Sequence, residues 1–399
     1  MNNIAILTYH SIIDQHDDRP WAFLSTSVKV FENTLKYLKK KGYTSISLNE
    51  LYELKQNRKD DDRKRVIINF DDGFLDNYTI AYPLLKKYGF KATVYVSTEF
   101  VDPRSIVRKL AYDDIVQGKL VKLEDNWGYM SWNELRIIDQ SGVIDVQAHA
   151  MSHTWYYISD TLMDIHHEKD KYFWLWWNKY PDRKPFWLTE YQEKEVPYGY
   201  PIFEYAKSLS GKVFIPKKEI IQFCIDFYGK NHELYRTDRK RFLEALGSEI
   251  HQNVSSSIGE YESDQTFFSR IEAELVESKA VIEEKLNKKI SFLAWPGGAV
   301  CDSANIAARR AGYLAVTSKE KHYNEVLTDP IDKLYRMGAW SGIKWRGRPI
   351  TSFEKVFIAM QLNRTKGNKS LINKILNQLG NLHRKRHIDK NRKQGEDWK

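Results

Sequence analysis

Two observations predict an α/β protein of the β/α-barrel class. Over residues 1–150 short apolar runs alternate with segments of helical apolar spacing, which implies parallel strands joined by helical crossovers. The alternation resumes after residue 270, and about seven strands in all suit a barrel, whose functional residues gather at the carboxyl ends of strands. Asp71, Asp72, His10 and His149 all follow such ends.

Taken in order, Ile4–Tyr9 reads as a strand, Val30–Lys40 as a helix and Tyr43–Ile46 as a strand. A helix starts at Asn49–Lys55, Val66–Phe70 is a buried strand, and Asn77–Tyr88 is a helix running up to Gly89. Ala92–Ser97 is a strand, Trp132–Gln140 a helix closed by Gly142, and Val143–Gln147 a strand. After the interruption come Ala273–Leu286 (helix), Ser291–Ala294 (strand), Ser303–Ala311 (helix) and Leu314–Thr317 (strand). Residues 156–270 break the pattern. There "KYFWLWWNKYPDRKPFW" sets Trp174, Trp176, Trp177 and Trp187 among basic residues, which marks an insertion. Most of these rings suit the insertion's own core, with one or two left to face a site and stack on sugar. The domain reading is thus a barrel from 1–155 and 271–350, an insertion from 156–270, and a helical basic extension from 351–399, with helical spacing in Phe353–Leu362 and Leu371–Leu379.

At 399 residues, with 42% hydrophobic and 29% charged residues, the chain can bury a full core. No run approaches the roughly 20 apolar residues of a membrane span, and MNNIAILTYH lacks the pattern of a secretory signal. Cys224 and Cys301 form no CxxC pair. These features lead us to expect a cytoplasmic protein. Of the net charge of +9, residues 364–399 hold +8, from 11 Lys/Arg against 3 Asp/Glu. The body is near neutral, which argues against a nucleic-acid binder. The basic tail reads either as a solvated end or as a peripheral contact with an anionic membrane face.

Chemistry enters with "IINFDDGF". Buried carboxylates at a strand end are costly unless paired, and two so close resist joint ionisation without a cation. One would ligate a metal while the other stays free as a base; alternatively, one caps the following helix. "QAHAMSHTW" places His149 and His153 four apart after a strand, a spacing that on a helical turn suits two imidazoles on one ion. Two His and one Asp leave coordination positions open, as in a catalytic site. "FLAWPGGAV" ends a strand in Pro296–Gly297–Gly298, either an ordinary turn or a source of free N–H groups for an oxyanion.

In order along about 260 residues, "ILTYHSI", "GYTSISLNEL", "VIINFDDGFLDNY", "MSWNELRIIDQSGVIDVQAHAMSH", "SFLAWPGG" and "ARRAGYLAVTS" resemble the polysaccharide deacetylases of the NodB-homology group, and in particular its exopolysaccharide members. The resemblance implies a distorted β/α barrel and hydrolysis of the N-acetyl group of an amino sugar, in an oligo- or polysaccharide or a lipid-linked sugar. It further implies Asp71 as catalytic base, Asp72, His149 and His153 as ligands of a divalent metal, usually zinc, and Pro296, Gly297 and Gly298 as the acyl-holding turn. Trp132 falls in the "SW" segment, as a helix-entry staple or a substrate contact. Three departures accompany it. Ala294 stands where many members carry the arginine that orients the base, so Asp71 must be held by something else. Ala150 replaces the usual Ser/Thr. The late Leu-x-His motif reads Leu334-Tyr335-Arg336, ending in a residue that cannot donate a proton at neutral pH. In a closed barrel the first strand neighbours the last, so His10 becomes the candidate general acid, with His322 as an alternative. A deformylase acting on a lipid-linked sugar and a non-catalytic glycan-binding module stand as other readings of the same site.

Overall fold

The computed structural model describes residues 3–13, 24–59, 61–117, 127–253, 257–298, 300–339, 344–345, 348–349 and 351–363. The expected Leu371–Leu379 helix and the basic tail lie outside these residues. No helix among the described residues is long and apolar enough to cross a membrane.

Contacts divide the chain into two units: Met1–Ala150 with Ser278–Gly298 and Gly312–Lys399, and Met151–Glu277 with Ala299–Ala311. The first is the expected barrel. β1 (Asn3–Tyr9), β2 (Arg65–Phe70), β3 (Ala92–Val96), β4 (Ile144–Ala148), β5 (Phe292–Leu293), β6 (Ala315–Thr317) and β7 (Lys333–Leu334) pair in that order, each parallel to the next. After Tyr335 the chain continues as β8 (Arg336–Gly338), parallel to β1 with Ile6 opposite Arg336 and Thr8 opposite Gly338. β7 and β8 therefore act as one interrupted strand that joins the last position of the sheet to the first. Ile4, Ile6, Ile67, Tyr95, Phe292, Ala315 and Leu334 share one buried cluster, a packed interior rather than a pore.

The seam at the interruption has its own polar fittings. Asn324 donates to the Ile4 and Tyr335 carbonyls (3.2 and 2.9 Å) and accepts from the Tyr335 amide (3.1 Å), replacing ladder bonds where the strand changes partner. The buried Lys55 ammonium donates to Asn324 Oδ1, the Pro330 carbonyl and the Lys333 carbonyl (3.3, 3.3 and 2.8 Å). Burial lowers its pKa to about 8, outweighing the nearby Asp329 and Asp332.

Helices α1 (Val28–Lys40), α2 (Leu48–Asn57), α3 (Tyr82–Tyr88) and α4 (Trp132–Gln140) belong to the crossovers. Two carry capping boxes: Ser47 with Glu50, and Ser131 with Glu134. The stretch expected as one helix from Asn77 opens instead with a π-helical turn, Asn77–Ala81. At the end of the first unit's described chain, α5 (Thr351–Leu362) supplies the expected helical spacing, with Phe357, Ile358 and Leu362 buried.

The second unit is built on a long antiparallel hairpin, Trp155–Ile165 with Pro201–Lys207, and on the helices Lys218–Thr237 and Arg239–Asn253. Trp174, Trp176, Trp177 and Trp187 are buried, so these rings are core. A buried Asp164 accepts from the Tyr172 and Tyr235 hydroxyls (2.6 and 3.0 Å) and pairs with Arg239. The helix Asp302–Arg310, which reads in sequence as part of the barrel repeat, groups by contacts with this unit.

Candidate metal and catalytic site

β2 delivers its apolar residues to the core and ends at Phe70, where the Asp71 amide donates to the Tyr9 carbonyl (3.0 Å). The chain then takes two consecutive left-handed residues, Asp72 (φ 73°) and Gly73 (φ 70°). Only Gly73 could sit so close to β3, since a Cβ there would lie 3.0 Å from Val96 Cγ1. A left-handed aspartate is held at some cost, and such strain concentrates where a side chain must be aimed.

The histidines arrive by a loop, not by the helical turn the i, i+4 spacing suggests. His149 follows β4 with its amide bonded to the Val96 carbonyl (2.9 Å), and its own carbonyl accepts from Ser97 Oγ (2.8 Å). Ala150 (φ 56°) and His153 (φ 43°) are both left-handed, and these two reversals replace the helix. Ser152, between the histidines, is tied through its amide and hydroxyl to Glu274 (3.0 and 2.8 Å), and its carbonyl accepts from the buried Lys184 ammonium (2.9 Å).

Asp72, His149 and His153 are all buried and each offers a donor atom, with all three atoms within 4.8 Å of one another. The tautomer of His149 follows from its partner. Nδ1 lies 2.8 Å from the Ala294 carbonyl, an acceptor only, so Nδ1 carries the proton. Nε2, 3.3 Å from Asp72 Oδ1, is then left with its lone pair towards the centre. One carboxylate and two neutral imidazoles suit zinc or a similar divalent ion and leave positions open. The residues fit the metal expected from the sequence.

Asp71 stands apart from that set. Its Oδ1 accepts from Arg336 Nη1 at 2.6 Å, and its Oδ2 lies 3.9 Å from His10 Nε2. Burial pushes its carboxyl upward, but the Arg336 guanidinium, with His149 and His10 beside it, outweighs burial and holds the pKa below the usual value. Asp71 is therefore ionised at neutral pH.

Arg336 is the residue that sequence reasoning missed. It occupies the late motif as a failed proton donor, and the missing arginine at Ala294 was a separate departure. The two departures complement each other, because β8 lies beside β1 and brings the guanidinium to Asp71. His10 is 30% exposed at its side chain, the accessibility a proton donor needs. His322 is buried and occupied elsewhere: it stacks on Tyr335 at 3.9 Å and lies 2.6 Å from the Tyr323 carbonyl through Nδ1.

The remaining candidates divide. Pro296 is buried, and Gly297 and Gly298 are exposed with φ of 58° and 71°. The Gly298 amide, expected to be free, donates to the Trp295 carbonyl (3.0 Å), which leaves the Gly297 amide as the candidate donor in this turn. Trp132 opens α4 behind its Ser131 cap and is half-buried, consistent with helix entry. Trp155, half-buried, lies two residues beyond His153 with the rings edge-on at 6.4 Å, and Lys207 Nζ sits 3.3 Å from its ring centre.

Residues 58–173 match the family model for polysaccharide deacetylase, and the match takes in Asp71, Asp72, His149 and His153. Over that stretch the chain is similar to polysaccharide deacetylases. Over 93 residues it is 40% identical to YxkH of Bacillus subtilis (strain 168), whose polysaccharide deacetylase name is provisional, covering 23% of this chain and 31% of that protein. Over 154 residues it is 23% identical to the poly-beta-1,6-N-acetyl-D-glucosamine N-deacetylase of Escherichia coli (strain K12), covering 39% of this chain and 21% of that one. The chain thus spans less than a third of either curated relative. Among solved structures, a de-N-acetylase from Aggregatibacter actinomycetemcomitans and the deacetylase domain of BpsB from Bordetella bronchiseptica each align with TM-score 0.50 at 16% identity, over 84% of this chain and 94% of theirs. These two likenesses bear on fold, and the fold is the barrel described above.

Proposed function

We infer that the chain is a metal-dependent hydrolase that removes the N-acetyl group from an amino sugar within a glycan. One observation carries the reading: a buried carboxylate, Asp71, is held ionised by Arg336 beside an Asp-His-His ligand set to which it does not belong. A structural metal site needs the three ligands but has no use for a free base, which disfavours a binding module. The resemblance of the domain to N-acetylglucosamine deacetylases directs the substrate class.

When bound, a zinc-class ion held by Asp72, His149 and His153 supplies Lewis-acid polarisation of the acyl carbonyl and of the attacking water. Asp71 takes the proton of that water, and Arg336 keeps the carboxylate aimed and ionised until it does. The Gly297 amide donates to the oxygen on which charge develops. His10, across the carboxylate from Arg336, hands a proton to the leaving amine.

The test is acetate release from β-1,6- and β-1,4-linked N-acetylglucosamine oligomers and from lipid-linked N-acetylhexosamines, with zinc and with chelator. Chelator-sensitive acetate release supports the reading. Formate release from N-formyl counterparts without acetate release would replace it with the deformylase. Metal binding with neither product would leave a glycan-binding module.

A further inference from the structure

The last paired residue of β1 is Tyr9, so the strand ladder stops one residue short of His10. Beyond it Ser11–Ile12 pair with Ser25–Thr26, and the same stretch is gripped by the segment just beyond the paired aspartates. Asp76 accepts from the Ser11 hydroxyl through Oδ2 (2.5 Å) and from the Ile12 amide through Oδ1 (2.8 Å). Asn77 Nδ2 donates to the His10 carbonyl (2.8 Å) and to Asp76 Oδ1 (3.0 Å). Ser11, Asp76 and Asn77 are all buried. Three hydrogen bonds thus hold the stretch from His10 to Ile12, two of them through its backbone, and a fourth couples Asn77 to Asp76; from this stretch the imidazole projects towards Asp71.

The residue types are those this task requires. An amide nitrogen has two protons, and Asn77 uses both; a carboxylate there would donate to neither acceptor and would confront Asp76. Asn77 also keeps a buried Oδ1 with no hydrogen-bond partner, a cost that an apolar residue of similar size would avoid. Its side chain opens the π-helical turn, a local irregularity that tends to accompany functional sites.

We propose that Asp76 and Asn77 are positioning residues for His10, so that the one segment Asp71–Asn77 carries the base and also sets the place of the acid. The inference rests on the reading of His10 as proton donor. It differs from a purely stabilising role, in which the same bonds would only secure the fold.

A double-mutant cycle separates the two. Acetate release from a β-1,6-linked N-acetylglucosamine pentamer is measured on the zinc-loaded full chain for wild type, Asn77→Ala, His10→Ala and the double variant. Asn77→Ala is expected to lower kcat about 10- to 100-fold with KM within about twofold, and to cause no further loss in the His10→Ala background. An equal loss in both backgrounds would overturn the proposal. A second readout needs no turnover: amide exchange at Ile12 is expected to quicken at least about tenfold in Asp76→Leu, which keeps a similar shape, removes both acceptor oxygens and serves if Asn77→Ala does not fold. Unchanged Ile12 exchange would remove the clamp. Full activity of His10→Ala would instead remove His10 as acid, an outcome that is separate from the clamp measured by exchange.

Discussion

Replacing Arg336 by methionine removes the cation from Asp71 while keeping an unbranched, space-filling side chain. The two charges meet at 2.6 Å, with side-chain exposures of 14% and 7%. An exposed ion pair broken in this way costs up to about 1 kcal/mol, whereas stripping one partner from a buried pair costs roughly 3–5 kcal/mol, since it leaves the other charge unpaired. Burial places this pair in the second class, so about 3 kcal/mol of stability is expected to go. Urea unfolding in chelator, with Arg336→Met, Asp71→Asn and the double variant, measures it. In the Asp71→Asn background the cost should fall by at least about 2 kcal/mol, because no carboxylate is left stranded. Turnover of Arg336→Met should drop on the order of 100-fold, with partial recovery in Arg336→Lys. If Arg336→Met costs the same in both backgrounds, the guanidinium is not dedicated to Asp71 and the reasoning fails.

Two further outcomes follow from other parts of the structure. Lys55 has a folded pKa of about 8, against about 10.4 for an unfolded lysine, so below pH 8 both states are protonated and the burial penalty is fully present. Between pH 8 and 10.4 the unfolded chain binds more protons, and stability rises with pH. The unfolding free energy of wild type relative to Lys55→Met should therefore increase by about 2.5 kcal/mol from pH 7 to pH 10; a flat difference by denaturant titration would contradict it. Trp155 is half-buried and lies edge-on to His153, and Trp155→Ala should raise KM for an N-acetylglucosamine oligomer about tenfold while leaving zinc affinity within about twofold. An unchanged KM would return Trp155 to the insertion's core.

The barrel was legible as far as Ala315–Thr317 because its strands there are short, largely apolar segments closed by a polar residue or a turn, whereas Lys333–Leu334 and Arg336–Gly338 carry no such signal. Val66–Phe70 before Asp71 and Ile144–Ala148 before His149 are the clearest cases. The ligand triad was legible for the same reason: barrel topology brings strand ends to one face, and sequence shows which ends carry Asp or His. The loop joining His149 to His153 was not, because spacing of four fits a helical turn as well as a loop with left-handed residues at Ala150 and His153. Arg336 was hidden by a different limit. Its partner lies 265 residues away, and only closure of the seventh position onto β1 shows that a residue unfit as an acid can hold the base. In the insertion the 20-residue helix Lys218–Thr237 was not legible because Ile221, Phe223, Ile225 and Phe227 alternate at a period of two, which suits a strand as well as a helix.

The central claim is that metal binding and proton abstraction belong to different, adjacent carboxylates. Calorimetric zinc titration paired with acetate release, on wild type, Asp71→Asn and His149→Ala, tests it most directly. Asp71→Asn is expected to bind zinc within about tenfold of wild type and to lose turnover by 100-fold or more, and His149→Ala to lose both. An active Asp71→Asn protein, or one that no longer binds zinc, would contradict it.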